Sequence, residues 1–267
     1  MKTSRIFQAT LTAATCTLSA LAISTSANAA TLTPVDLELS LLVDVSGSID
    51  TTEFNLQKQG YVDAFNSAEL FDDFISKGKL GKIAVNLIYW SSGNQQQQSI
   101  GWTLIDSLAA SQSFATAIAA TTRPFDDNTA PGSAINFATP LFFNNDFDGT
   151  RQVIDVSGDG VQNSGSSTAA ARDAALAAGV DAINGLVIGG SGVFNFYTNN
   201  VKGGTGSFVQ TASSFADFGA TVESKIQREI VGEPQPTPEP ASLIGLLGLG
   251  AFGLTAKLKR RSQSLGC

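Results

Sequence analysis

Residues 35–46, VDLELSLLVDVS, alternate apolar and polar positions at first and then become continuously apolar. Alternation marks a half-buried strand and an unbroken apolar run a strand covered on both faces. The segment therefore predicts a strand entering a parallel sheet. Over 51–67 the apolar or aromatic positions 54, 61, 62 and 65 fall at helical spacing, with Thr51 or Thr52 placed to cap the first turn. The same reading gives a strand at 82–91, with 98–105 pairing back against it, and helices over 104–120 and 132–143. A strand at 151–158, an alanine-rich helix at 167–178 and a strand at 182–189 follow, then a short strand near 207–210 and a helix over 214–230. The run Gln95–Gln98 reads as a polar turn, and 201–208 as a turn before the last strand. Strands alternating with helices of about ten or more residues predict an α/β domain with a mostly parallel central sheet and helices on both faces.

Both ends depart from this pattern. Lys2 and Arg5 precede a largely apolar, uncharged run at 6–25, and Ala27-Asn28-Ala29 supplies a small-x-small cleavage pattern. Residues 1–29 thus read as a secretory signal peptide. Ala13 stands where a lipoprotein signal carries Leu, so Cys16 is not read as a lipid anchor. At the other end a Pro-rich linker, 232–240, leads into an apolar span at 241–256 and a basic tail at 257–267. Sixteen residues rise only about 24 Å as a helix, against a hydrocarbon core of about 30 Å. Snorkelling by Lys257 and Lys259 can make up the difference. The span reads as a transmembrane segment with a cytoplasmic tail, which leaves the main domain, 30–231, outside.

Charge and composition narrow the function. Residues 30–232 carry ten Lys and Arg against twenty-one Asp and Glu, a formal net charge of −11, which argues against nucleic acid and anionic membrane surfaces as partners. Cys16 and Cys267 both lie in segments expected to be removed, so the exported domain is held by its core, or by its core and a metal. The chain has no histidine, which excludes a Ser-His-Asp triad and most catalytic zinc sites.

Two Asp-Val-Ser-Gly strings, at 44–47 and 155–158, fall at the carboxyl ends of expected strands, where α/β sheets gather their functional residues. In the first, Asp44, Ser46 and Ser48 place one carboxylate and two hydroxyls on one loop, hard oxygen donors suited to a cation such as Mg²⁺. By itself such a motif is more often a turn followed by a helix cap. Thr129, just ahead of a glycine turn, and Asp159, beyond the second string, change that balance. Together these segments resemble the metal-ion-dependent adhesion site of von Willebrand factor A domains: D-x-S-x-S, then T-x-T-G, then T-D-G. The resemblance implies that Asp44, Ser46, Ser48, Thr129 and Asp159 hold Mg²⁺, with Mn²⁺ or Ca²⁺ as substitutes, directly or through water. Pro131 and Gly158 depart from that pattern where it has threonines. Asp155, inside an apolar strand, reads as a buried carboxylate in need of partners rather than as a ligand. Asn163 is expected to fix the Asp159 loop by an Asx-type bond, Asp126 and Asp127 to form a solvated loop, and Trp90 and Trp102 to be core or rim aromatics.

A wider resemblance spans about 35–231. The strings DVSGSID at 44–50, IAVNLIYWS at 83–91, RQVIDVSGDGVQN at 151–163 and FADFGATVESKIQREI at 215–230 are similar to domain-of-unknown-function family 1194, a von Willebrand factor A-like family. It implies the Rossmann-like von Willebrand factor A fold. The tail, with Pro238-Glu239-Pro240, a Gly/Leu-rich span and then Lys and Arg, resembles the PEP-CTERM sorting signal. That implies export, membrane anchoring through the C-terminal segment, handling by an exosortase-type enzyme, and delivery to the cell surface or extracellular matrix. The expectation for function is a non-enzymatic binding or adhesion module that captures an acidic protein or polysaccharide group through the metal. The alternatives are a structural domain with a stabilising or empty site and, behind it, a metal-dependent hydrolase. A haloacid-dehalogenase-type enzyme would need a second acid at position 46, which is serine.

Overall fold

The computed structural model describes residues 31–232; the expected signal peptide and the segments from 233 onward, including the expected membrane span 241–256, lie outside the described residues. Strand β1 (Thr33–Val35) pairs in parallel with β5 (Phe147–Gly149) in a separate two-stranded ribbon. Seven strands form the main sheet. They are β2 (Leu37–Asp44), β3 (Ile83–Trp90), β4 (Gln96–Ile105), β6 (Gln152–Gly158), β7 (Ala182–Ile188), β8 (Gly203–Gly204) and β9 (Val209–Ala212). Their order is β4-β3-β2-β6-β7-β8, with β9 also paired to β7. The pairs among β3, β2, β6, β7 and β9 are parallel, while β4 and β8 run antiparallel to their neighbours. β2 is buried along its whole length, including Glu38 and Ser40, so its alternating start does not mark a solvent face. Glu38 is held there by Asn145 and the Gly149 amide.

The helices are α1 (Thr51–Asn66), α2 (Leu108–Ala119), α3 (Pro131–Ala138), α4 (Thr168–Ala178), α5 (Ser191–Phe196) and α6 (Phe218–Val231). Buried residues of α1, α2 and α6 pack on one face of the sheet through Phe54, Phe65, Phe114, Phe218 and Ile226. Those of α3 and α4 pack on the other with Ile154, Val156 and Ile183. The domain is a three-layer α/β sandwich. Among the described residues no helix is long and apolar enough to cross a membrane.

Several boundaries differ from the sequence reading for local reasons. Asp50, not Thr51 or Thr52, caps α1: its side chain accepts from the Thr52 and Glu53 amides while Glu53 accepts from the Asp50 amide. The run Gln95–Gln98 is not all turn, because Gln96 already belongs to β4 and pairs with Trp90. β4 extends to Ile105 and α2 starts only after Ser107, whose hydroxyl accepts from the Ala110 amide. α3 ends at Ala138, before Pro140, and the chain continues as a 3₁₀ turn over Thr139–Phe143.

Candidate metal centre

β2 and β6 are adjacent, and the connections out of them leave on opposite sides: α1 leads to β3, α4 to β7. Their carboxyl ends therefore open the crevice at which the strand order reverses. Asp44 is the last residue of β2, and Asp159 directly follows β6.

The loop after Asp44 is held through its backbone, leaving its side chains free to converge. The Val45 amide donates to the Trp90 carbonyl and the Gly47 amide to the Asp127 carbonyl. Gln57 donates to the Asp44 carbonyl at 3.3 Å, and the Arg123 guanidinium donates to the carbonyls of Val45 and Ser46 at 2.9–3.2 Å. The third segment is hung from β3. Ser91 Oγ accepts from the Asp127 amide and donates to the Asn128 carbonyl; Ser92 Oγ accepts from the Asn128 amide. Asn163 takes a different role from the one expected. Its side chain accepts from the Thr129 amide at 2.8 Å and its own amide donates to the Thr129 carbonyl, so it fixes Thr129 to the Asp159 loop.

The five side chains singled out in the sequence come together. Thr129 Oγ1 donates to Ser46 Oγ at 3.3 Å, Ser46 Oγ lies 3.3 Å from Ser48 Oγ, and Ser48 Oγ donates to Asp159 Oδ1 at 2.7 Å. Asp44 Oδ1 accepts from the Ser46 amide at 2.8 Å. Asp44 and Ser46 are fully buried at the floor, whereas Ser48 is exposed and Asp159 half-buried at the rim. Asp44 Oδ2 is buried and has no hydrogen-bond partner among the described residues. A buried carboxylate oxygen left so is costly. Burial accordingly raises the Asp44 pKa to about 7, against hydrogen bonds from Ser46 and with the Asp159 charge adding to the rise. Asp159 is also raised, by burial first.

This donor set, two carboxylates and three hydroxyls around an unpartnered carboxylate oxygen, fits a small hard cation. Among the described residues no three His, Cys, Asp or Glu side chains gather as a metal cluster, so any ion here would rely on hydroxyl oxygens. A groove of about 580 Å³ between β4 and the end of α2, lined by Gln97, Ile100 and Thr121 among others, shares no residue with this donor set.

Asp155 lies in mid-β6, away from this loop. Lys225 of α6 approaches its Oδ1 at 2.6 Å and also pairs with Glu229, all three side chains being buried. Asn184 donates to Glu229 at 2.9 Å. Trp90 is core, and Trp102 is a rim aromatic that donates to the Leu141 carbonyl at 3.0 Å. Asp126 and Asp127 are exposed or nearly so, as a solvated loop should be. The sequence reading missed Arg123, Ser91, Ser92 and Gln57. Arg123 had a signal, being the one cation in 120–130.

A family model described as protein of unknown function (DUF1194) matches residues 34–234, and one described as the PEP-CTERM protein-sorting motif matches 236–261. No curated protein matches the sequence. Among solved structures the chain is similar to proximal thread matrix protein 1 from the mussel byssus, with a zinc-occupied MIDAS motif. That match has 17% identity and a TM-score of 0.55, over 73% of this chain and 46% of that one. It is also similar to the pilus adhesin SpaC from Lactobacillus rhamnosus GG, with 14% identity and a TM-score of 0.52, over 75% and 31%. A von Willebrand factor type A protein from Catenulispora acidiphila matches with 12% identity and a TM-score of 0.51, over 74% and 43%. This chain spans less than half the length of each. At such identities the likeness establishes the von Willebrand factor A fold.

Proposed function

The chain belongs to the DUF1194 family, and we propose that it is an exported binding module that holds a divalent cation through Asp44, Ser46, Ser48, Thr129 and Asp159 and captures an acidic group with it. The observation that carries this reading is the convergence of those five side chains on a floor where Asp44 Oδ2 has no partner. The three hydroxyls bring no charge, so a bound Mg²⁺ or Mn²⁺ would be balanced but not overbalanced by the two carboxylates, and would leave room for a further carboxylate from a protein or polysaccharide. Two such neighbours, a byssus matrix protein with a metal in its MIDAS motif and a pilus adhesin, support a surface or matrix role. So does the sorting motif at 236–261, which suits export, anchoring before cleavage by an exosortase-type enzyme, and display at the cell surface or in the matrix. Binding rather than catalysis suits a chain with no histidine and with serine, not an acid, at position 46. Val161, 46% exposed and two residues past Asp159, offers an apolar contact at the rim.

One observation favours the alternative of a structural domain. Ser48, Asp159, Ser46 and Thr129 already satisfy one another, and a site closed by its own hydrogen bonds can serve the fold alone. Retention of the full chain on a carboxylated polysaccharide and on an immobilised acidic peptide decides between them. The binding reading predicts retention with Mg²⁺ or Mn²⁺, release by a chelator, and no retention of Asp44→Ala. Equal retention with and without the ion contradicts it.

A further inference from the structure

Tyr197, at the start of a π-helical turn (Tyr197–Val201) that follows α5, is completely buried, and its hydroxyl has no hydrogen-bond partner among the described residues. Two strands make room for it. A Cβ on Gly185 of β7 would lie 2.8 Å from the edge of its ring, and a Cβ on Gly158 of β6 would lie 2.5 Å from its hydroxyl. That same Cβ on Gly158 would lie 2.7 Å from Asp44 Oδ2. Two buried oxygens without partners thus face the same bare stretch of backbone: a phenol, which can donate, and a carboxylate oxygen, which can only accept. Phenylalanine would fill the same volume without bringing a polar atom into the core, so packing does not account for the hydroxyl.

We propose that Tyr197 is a positioning residue of the metal centre, its hydroxyl donating to Asp44 Oδ2 and fixing the carboxylate for the ion. The proposal rests on the metal-site reading above. Neither the Tyr197 hydroxyl nor Asp44 Oδ2 has a hydrogen-bond partner among the described residues; the bond would take one lone pair of Oδ2 and leave the other for the ion, Oδ1 already accepting from the Ser46 amide. It also explains Gly158 in this chain: any side chain there would come between donor and acceptor. The phenol keeps its proton, because burial and then the negative charge of Asp44 hold its pKa well above the usual tyrosine range.

The test is calorimetric titration of the full chain and of Tyr197→Phe with Mn²⁺ and Mg²⁺. It is paired with thermal unfolding without metal and the tyrosine ultraviolet difference spectrum on adding the ion. Groups that orient a metal's ligands are worth about 10-fold or more in affinity. Tyr197→Phe should therefore bind at least about 10-fold more weakly, unfold without metal no earlier than the wild type, and lose the difference signal that the wild type shows. Equal affinity in the two proteins overturns this role for Tyr197 and leaves the metal site standing. A wild type that binds neither ion overturns the metal site and this inference together.

Discussion

Two buried carboxylates on neighbouring strands of one sheet are treated in opposite ways. Asp155, in the middle of β6, receives a cation from the chain: Lys225 reaches it from α6 and is shared with Glu229. Asp44, at the end of β2, accepts from Ser46 at Oδ1 and has no hydrogen-bond partner at Oδ2 among the described residues, while the nearby Arg123 donates its hydrogen bonds to backbone carbonyls. Both acids are fully buried. The difference separates an acid that the chain supplies with a cation, although Asp155 Oδ2 and Glu229 Oε2 also lack hydrogen-bond partners among the described residues, from a strand-end acid given none there. Position explains it. Asp155 lies under α6, from which the Lys225 ammonium reaches in and lies 5.4 Å from the centre of the Phe208 ring, whereas Asp44 lies at a strand end beside the exposed Ser48.

The largest expected effect breaks the first site. Lys225→Met removes the cation and leaves Asp155 and Glu229 buried without it, which should cost about 3–5 kcal/mol in urea unfolding while metal affinity stays near wild type. A loss below about 1 kcal/mol would show that the pair is not what holds α6 to β6.

Next in size is a pH dependence whose sign reverses with metal. Asp44 and Glu229 both have pKa values raised to about 7, burial being the first cause in each. A raised carboxylate pKa means that the folded state binds the proton more tightly than the unfolded one. Its stabilising contribution is full below the unfolded value and is lost as pH rises through the folded one. The metal-free protein should therefore lose stability as pH rises from about 4 to about 7 as far as these two groups decide. With saturating Mg²⁺ the Asp44 contribution inverts, because the ion requires the carboxylate and protons compete with it. Melting curves across that range with metal and with chelator should converge in acid and separate above about pH 6. Parallel curves would break the comparison.

The smallest effect comes from a third acid, Asp50, which is exposed and works only as a helix cap. Asp50→Ala should cost about 1 kcal/mol with no change in ion affinity, even though Asp50 lies only two residues from Ser48. A larger loss, or weaker metal binding, would mean that the α1 cap also shapes the site.

What the sequence disclosed divides along the same line. The main strands and helices were legible because each buries a periodic face, while β1, β5 and α5 were not read; the five candidate donors came from the resemblance to an adhesion site, four of them at or just past the ends of β2 and β6 and Thr129 standing just ahead of α3. The Asp50 cap was within reach too, since Glu53 stands three residues on, as a capping box requires. The partner of Asp155 was not. Lys225 and Glu229 are four apart on α6 and read as an ordinary surface pair; only the packing of α6 on the sheet turns them inward. Tyr197 gave no local signal either, because its meaning depends on two glycines in other strands.

The measurement closest to the central claim is direct titration of Mg²⁺ and Mn²⁺ into the wild type and Asp44→Asn, with thermal unfolding of each. Asparagine keeps the shape of the site and removes the buried charge. The wild type should bind one ion and gain about 2.7 kcal/mol at a hundredfold excess over Kd. Asp44→Asn should bind none, yet be at least as stable as the metal-free wild type. If the two proteins respond alike to the ions, or if Asp44→Asn is the less stable without metal, Asp44 is a structural acid like Asp155 and no cation completes the site.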